Sequence, residues 1–187
     1  MLLQREGRLA EAEPLLRDAV AIRLALYGQD HYNVGYARVS LAMLLHDKGD
    51  LAGSEDEFRQ ALAIYDKSLP ANHQYRASLL MHFARLLVDR NKSAEALAKS
   101  DDSIKIWTAT SPATNPQTAL AHAIHAYALE HLGKLPQAAD EFSAAVPVLV
   151  KARGADDAVV RRAQNWQKIA DPNALQTAST SAAAHPP

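Results

Sequence analysis

Two histidines one helical turn apart are the residues whose types and spacing most readily suggest chemistry. His122 and His125 are three positions apart, and Glu130 and His131 follow on the same predicted helix. Histidine and carboxylate side chains at helical spacings can bind zinc. Both histidines are, however, expected to face a neighbouring helix, where an inter-helix hydrogen bond is the more common arrangement. We therefore predict no metal site, no cofactor and no zinc dependence.

The rest of the sequence offers no catalytic arrangement. It contains no phosphate-binding glycine loop, no nucleophile elbow, no HExxH motif and no cysteine. The carboxylate pairs Glu55/Glu57 and Asp101/Asp102 are expected to lie on solvated helix surfaces. The sequence therefore predicts a protein that is not an enzyme and has no catalytic residues.

Composition also excludes two classes of partner. The 187 residues carry a net charge of −1 and a pI near 6.7, so no basic surface for nucleic acid or an anionic membrane is expected. No window approaches the roughly 18 consecutive apolar residues of a membrane span. The opening MLLQREGR has no apolar run of the length that a secretory signal needs.

The elements that position these side chains repeat at a fixed interval. Gly7, Gly49 and Gly133 lie on a spacing of 42 residues, and Asn91 takes the remaining position. Asparagine is the usual substitute for glycine where a helix ends in a left-handed turn. A period of this size is typical of a solenoid, in which each unit buries its apolar face against its neighbours.

Each unit is predicted to contain two helices and a loop. Helical apolar stripes and intervening breakers predict antiparallel pairs at 34–48/51–68, 76–90/93–108 and 118–132/135–152. Asn72 and Asn115 are candidate N-caps, and Pro116 suits a first helical position. Trp166 is expected to pack on the preceding pair. The predicted organisation is an array over 1–170, with a partial first repeat 1–27, units about 34–68, 76–109 and 118–152, a terminal helix 157–170 and a disordered tail 171–187.

The two ends of the repeat pattern differ. MLLQREG (1–7) matches MLLHDKG (43–49) almost residue for residue, which places the first residues in the last turns of a helix. We expect the chain to be part of a longer array, or its start to be misassigned. No polar cap precedes Arg8–Tyr27, so the first repeat is expected to leave an apolar face through which the chain could self-associate.

The units resemble tetratricopeptide repeats. The resemblance rests on one set of positions in the second unit, repeated in the later ones: Leu41, Ala42, Leu45, Gly49, Leu51, Phe58 and Ala61. The 42-residue period and the segment EAEPLLRDAVAIRLALYGQDHYNVGYA (11–37) resemble the kinesin-light-chain type found in bacterial multidomain signalling proteins. The resemblance implies an all-α, right-handed α-solenoid in the cytoplasm that acts as a non-catalytic protein–protein interaction scaffold.

In that family the first helix of each unit lines a concave groove. The resemblance therefore places a set of side chains in a groove that binds a partner peptide or protein segment: Tyr36, Val39, Met43, His46, Ser78, Met81, His82, Arg85, Asp89, Leu120, Tyr127 and Glu130. The lysines and asparagines that hold chaperone carboxylates, and the asparagine pair of kinesin light chains, are missing at the matching positions. Two alternatives stay open: a regulatory or sensor region at the C-terminus of a larger signalling enzyme, such as a bacterial serine/threonine kinase, and a self-associating structural segment.

Overall fold

The structure is a computed structural model that describes residues 9–111 and 114–170. It contains eight α-helices and no strand within those ranges. They are α1 (Leu9–Tyr27), α2 (Tyr32–Lys48), α3 (Leu51–Ser68), α4 (Gln74–Asp89), α5 (Ser93–Thr110), α6 (Pro116–His131), α7 (Leu135–Arg153) and α8 (Ala158–Ala170). The all-α solenoid fold predicted from the repeat is confirmed. Gly7 and the predicted tail 171–187 lie outside the described residues.

The first helix of each pair begins two residues earlier than the apolar stripe indicated, because of its N-cap. In α2 and α4 the cap is a histidine: the Nδ1 atoms of His31 and His73 accept the amides of Asn33 and Tyr75 at 3.2 and 3.1 Å. The prediction of Asn72 as the N-cap was therefore wrong.

The cap of α6 follows the sequence prediction. Asn115 Oδ1 accepts the amide of Gln117 at 2.8 Å, and Pro116 occupies the first turn. Proline is tolerated there because its missing N–H has no intrahelical partner at that position.

The helix ends on the 42-residue spacing are left-handed, as predicted. Gly49 and Gly133 have φ of 87° and 72°, and Asn91, with φ of 60°, is the only non-glycine residue with positive φ in the part of the chain that the structure describes. A Cβ added at Gly49 would meet no atom within 4 Å. Backbone conformation, not crowding, therefore selects glycine at this position.

Gly49→Val is expected to lower the free energy of unfolding by about 1–3 kcal/mol, because a β-branched residue is strained at positive φ. Asn91→Val should cost less, since asparagine already occupies that turn. Urea unfolding of both variants checks this. Equal midpoints for Gly49→Val and wild type would show that the turn carries no conformational constraint.

The buried apolar residues form two clusters, a large one that extends from α2 to α8 and a smaller one between α1 and α2. Phe58 on α3 and Phe83 on α4 stack with ring centroids 5.4 Å apart, and both are almost completely buried. Ala42 and Ala61, which are fully buried, let the paired helices approach closely. Buried serines add hydrogen bonds between paired helices, since Ser54 Oγ donates to the Ala42 carbonyl at 2.8 Å.

One carboxylate predicted to be solvated is buried instead. Glu55 is 4% exposed and forms ion pairs with Arg59, Arg90 and Lys92, the last at 2.8 Å. Burial alone would raise the pKa of Glu55, but the hydrogen bond from Lys92 and the nearby arginines lower it below its usual value. Glu55 therefore joins α3 to the turn between α4 and α5.

Candidate partner-binding groove

The packing of successive repeats shows which helices lie on the inside of the array. The first helices of the units, α2, α4, α6 and α8, contact one another in sequence. The second helices, α1, α3, α5 and α7, have at most marginal contact with each other. The row of helices that approach each other more closely forms the inner side of a curved array. We call the surface formed by α2, α4, α6 and α8 the concave groove.

Several predicted groove residues are accessible on these helices. Tyr36 is 39% exposed, Asp89 is also exposed, and the others retain part of their surface. The partly exposed members of the predicted set are Met43, Ser78, His82, Arg85, Tyr127 and Glu130.

Four predicted groove residues are buried, so the expectation that they would be exposed was wrong. Met81 is completely buried, and Val39, Leu120 and His46 are at least nine-tenths buried. Val39, Met81 and Ala123 share one register position of the repeat, and all three are buried. That position therefore belongs to the apolar core rather than to the surface of the groove.

Polar side chains link the inner helices across the groove. Arg85 on α4 donates to Asp47 on α2 at 2.8 Å, and the Tyr127 hydroxyl on α6 donates to Asp89 on α4 at 2.8 Å. Each pair is separated by 38 positions, so the same inter-repeat contact recurs in two successive repeats. The 42-residue spacing of the two donors and of the two acceptors is present in the sequence. It was not recognised because the donors, arginine and tyrosine, are chemically different.

His46 joins these two contacts into one network. Arg85 donates to its Nδ1 at 3.0 Å, and its Nε2 lies 2.7 Å from Asp89 Oδ2. Arginine is always a donor, so Nδ1 accepts and Nε2–H donates. We call Asp47, Arg85, His46, Asp89 and Tyr127 the inter-helix polar network.

The electrostatics of the groove follow from burial and from this network. Burial alone would raise the pKa of Asp89, but hydrogen bonds from His46 and Tyr127 lower it, so the carboxylate stays charged. Burial, followed by the nearby Arg85, lowers the pKa of His82 to about 3. Burial and the hydrogen bond to Asp89 raise the pKa of Tyr127.

The histidine–aspartate pair in this network is not arranged as a general base. A catalytic histidine needs a nitrogen lone pair that is free to accept a proton from substrate. In His46 that lone pair, on Nδ1, accepts a hydrogen bond from Arg85, and the ring is 8% exposed. The contacts of His46 therefore connect helices.

Trp166 closes the C-terminal end of the groove. Its ring stacks on Tyr127 at 4.2 Å with an interplanar angle of 12°. The edge of His131 also packs on Tyr127, at 4.7 Å. The prediction that Trp166 packs on the preceding helix pair is confirmed. Tyr127 is therefore held on both its ring and its hydroxyl.

The histidines first considered as zinc ligands make inter-helix contacts, as predicted. His125 Nδ1 lies 2.9 Å from both carboxylate oxygens of Glu141 on α7, and its Nε2 lies 3.4 Å from Asp101 on α5. His122 approaches Glu141 at 3.6 Å. Hydrogen bonds from His122 and His125 outweigh burial and lower the pKa of Glu141 to about 2. Within residues 9–111 and 114–170, no group of three or more histidine, cysteine or acidic side chains is arranged to hold a metal ion.

A second candidate surface lies on α1. Leu15, Ile22 and Leu26 form an exposed apolar stripe at helical spacing, and each is at least 58% exposed. Ile64, which lies 42 residues after Ile22, is only 8% exposed because α3 is covered on the corresponding side. None of the helices that the structure describes has the length and hydropathy needed to cross a membrane.

Comparisons with known proteins agree with this architecture. The tetratricopeptide repeat family matches residues 1–67. Among curated proteins, none matches the chain. A kinesin-light-chain-like protein of Podosopora anserina, solved with nearly identical TPR-like repeats, is similar at a TM-score of 0.72 and 20% identity, covering 94% of this chain and 82% of that chain. A single-substitution variant of that protein gives the same TM-score and identity, with coverages of 97% and 88%.

A third solved structure has a similar fold. BtubC (BKLC) from P. vanneervenii is similar at a TM-score of 0.70 and 16% identity, covering 100% of this chain and 79% of that chain. At these identities the likeness concerns the fold. Taken with the 42-residue repeat geometry, it shows a solenoid of TPR-like repeats, of which residues 1–67 match the tetratricopeptide repeat family.

Proposed function

We propose that this protein is a non-catalytic scaffold that binds a segment of a partner protein in the concave groove, in the cytoplasm. The tetratricopeptide repeat fold is in general a protein-interaction scaffold. The observation that carries the proposal is the presence of accessible aromatic, methionine and polar side chains on helices that form the inner face. An extended or helical segment suits a surface of this kind.

The N-terminal half of the groove is proposed to make most of the contacts. Tyr36 is exposed but held in place, since Arg23 lies 5.4 Å from its ring centroid and Tyr75 packs against it at 5.6 Å. A preorganised tyrosine loses little side-chain entropy when it binds a partner. Met43 lies about two helical turns after Tyr36 on α2, and its flexible side chain can adapt its shape to a ligand. Arg85 and Tyr127 already form hydrogen bonds in the inter-helix polar network, and Met81 is buried. These three residues are therefore expected to contribute less to the affinity for a partner.

A peptide selected from a random display library against the wild-type protein would test this assignment. Tyr36→Ala is expected to weaken binding of such a peptide about thirtyfold, which corresponds to roughly 2 kcal/mol. Met43→Ala should weaken it in the same direction. Affinities measured by calorimetry check this prediction.

The matched control is Lys105→Ala on the outer helix α5, where the side chain is 74% exposed. If Lys105→Ala weakened binding as much as Tyr36→Ala, the groove assignment would be wrong. The same groove would serve a regulatory region of a larger signalling enzyme, the partner then being a segment of that enzyme.

Self-association is a second candidate function, and the exposed apolar stripe on α1 favours it. At the other end of the array, α8 presents Arg161, Arg162 and Lys168 to solvent, with Ile169 as the one large apolar side chain that is exposed on that helix. Sedimentation of the wild type should then show a concentration-dependent dimer that Ile22→Glu abolishes. A wild-type monomer at all concentrations would eliminate this candidate.

A further inference from the structure

The apolar stripe on α1 lies on the side of the helix that, in the next unit, faces the first helix of the same unit. Its residues have counterparts on α3 one 42-residue period later: Leu15 corresponds to Glu57, Ile22 to Ile64 and Leu26 to Ser68. Arg38 on α2 donates to Glu57 at 2.7 Å, and a Cβ added at Gly35 on α2 would lie 3.4 Å from Ile64 Cγ2. The stripe on α1 therefore corresponds to the side of α3 that α2 covers.

This side is covered in the later units and open in the first. The first helix of each later unit has its most extensive contact with the second helix of that unit, as α2 has with α3. Among residues 9–111 and 114–170, α1 has an extensive contact only with α2, which is the first helix of the next unit. Ile22 is accordingly 58% exposed, whereas its counterparts Ile64 and Ile106 are 8% and 9% exposed. The open side of α1 is therefore a place for one more helix.

The open side of α1 is also more apolar than its counterparts. The position of Leu15 is charged in every later unit: Glu57, Lys99 and Glu141. Two of these carboxylates pair with the first helix of their unit, Glu57 with Arg38 at 2.7 Å and Glu141 with His122 at 3.6 Å. Leu15 cannot form such a polar contact, so the position suits an apolar side chain on the opposing helix.

We propose that the stripe on α1 docks an amphipathic helix of a partner protein, antiparallel to α1, in the place that α2 has on α3. The docked helix carries an apolar side chain where α2 carries Arg38. Recognition of this kind buries the apolar face of one helix against another, and the burial of three large apolar side chains drives it. The proposal is independent of binding in the concave groove, and it names a different occupant of the stripe from a second copy of the chain.

The first helix at the other end of the array does not have the required pattern. On α8 the side that corresponds to the α3-facing side of α2 carries Arg161, Gln164 and Lys168, three periods after their counterparts on α2. These polar side chains do not match Leu15 and Ile22, so α8 of a second copy is a poor occupant. A pair of α1 helices from two copies is the other arrangement that covers the stripe, and the experiment distinguishes it.

Peptides with the sequence of α2 test the proposal. One peptide covers residues 32–49 unchanged, and the other carries Arg38→Leu. The Arg38→Leu peptide should bind the full chain about tenfold more tightly, because arginine opposite Leu15 is buried without an ion-pair partner. In the protein variant Leu15→Glu, which recreates the carboxylate of Glu57, the order of the two affinities should reverse. Fluorescence anisotropy of labelled peptides measures the four affinities.

Three further variants locate the binding. Ile22→Glu should weaken the binding of the Arg38→Leu peptide at least tenfold. Ala21→Glu is the matched control, because Ala21 and its counterpart Ala63 are both exposed, and it should leave the affinity unchanged. Tyr36→Ala, in the concave groove, should also have no effect. The absence of peptide binding, equal affinities for the two peptides, or the same order of affinities in Leu15→Glu would overturn the proposal. A wild-type dimer that Ile22→Glu dissociates and that excludes both peptides would assign the stripe to a second copy instead.

Discussion

Replacing Phe83 by alanine is expected to lower the free energy of unfolding by about 3–5 kcal/mol. Phe83 is 1% exposed and stacks on Phe58 with an interplanar angle of 17°, so the change removes an aromatic contact between repeats. It also leaves a cavity at the junction of α3 and α4, where neighbouring side chains can relax only in part. In a solenoid such a junction connects the two halves of the array.

Chemical denaturation followed by circular dichroism measures this loss. The matched control is Leu132→Ala, an apolar truncation at a position that is 41% exposed, for which a loss below about 1 kcal/mol is expected. A Phe83→Ala loss no larger than that of the control would mean that the junction is not closely packed. Separate transitions for the two halves would show that the junction transmits the cooperativity of the array.

Acidification from about pH 6.5 towards pH 3 is expected to lower the free energy of unfolding by a few kcal/mol through His82. In the folded protein burial holds the pKa of His82 near 3, whereas an unfolded histidine has a pKa of about 6.5. Between these values the unfolded state binds a proton that the folded state does not. The contribution of His82 to stability is therefore fully present above pH 6.5 and is lost progressively as the pH falls.

Unfolding curves at pH 4.5 to 7 isolate this effect. His82→Gln should reduce the dependence of the free energy of unfolding on pH, because glutamine does not titrate. Asp89 and Glu141, whose pKa values are lowered, reduce stability only below this window as they become protonated. His125 acts in the opposite direction: its pKa is raised by Glu141, so its stabilisation is present at low pH and is lost as the pH rises above that pKa. An unchanged slope in His82→Gln would show that His82 is hydrated in the folded protein.

The repeat period made the helices and their ends predictable from the sequence. Gly49 and Asn91 each have the positive φ that their spacing indicated, because a left-handed helix end restricts which residues fit. The N-caps of α2 and α4 were missed since histidine is not among the residues that usually cap helices. A helix boundary could therefore be predicted where one residue type dominates the conformation, as glycine does at left-handed helix ends. It was missed where a less common side chain, here histidine, serves as the N-cap.

The groove was less predictable than the helices. Register alone could not show that Met81 is part of the buried core, since a rotation of one residue moves a helical side chain by about 100° around the axis. Glu55 looked solvated because its ion-pair partners Arg90 and Lys92 lie more than 30 residues away along the chain. The inter-helix polar network joins residues 38 to 43 positions apart, so it depends on the packing of repeats.

Mapping the binding footprint of a selected peptide by amide chemical shifts tests the scaffold account most directly. The account predicts that the largest shifts fall on α2 and α4, around Tyr36, Met43 and Ser78, with little change on the outer helices α3 and α5. It also predicts that Tyr36→Ala shrinks these shifts to about a quarter at a peptide concentration about ten times the wild-type Kd, as thirtyfold weaker binding requires. A footprint centred on α3 and α5, or one confined to the stripe on α1, would contradict binding in the concave groove.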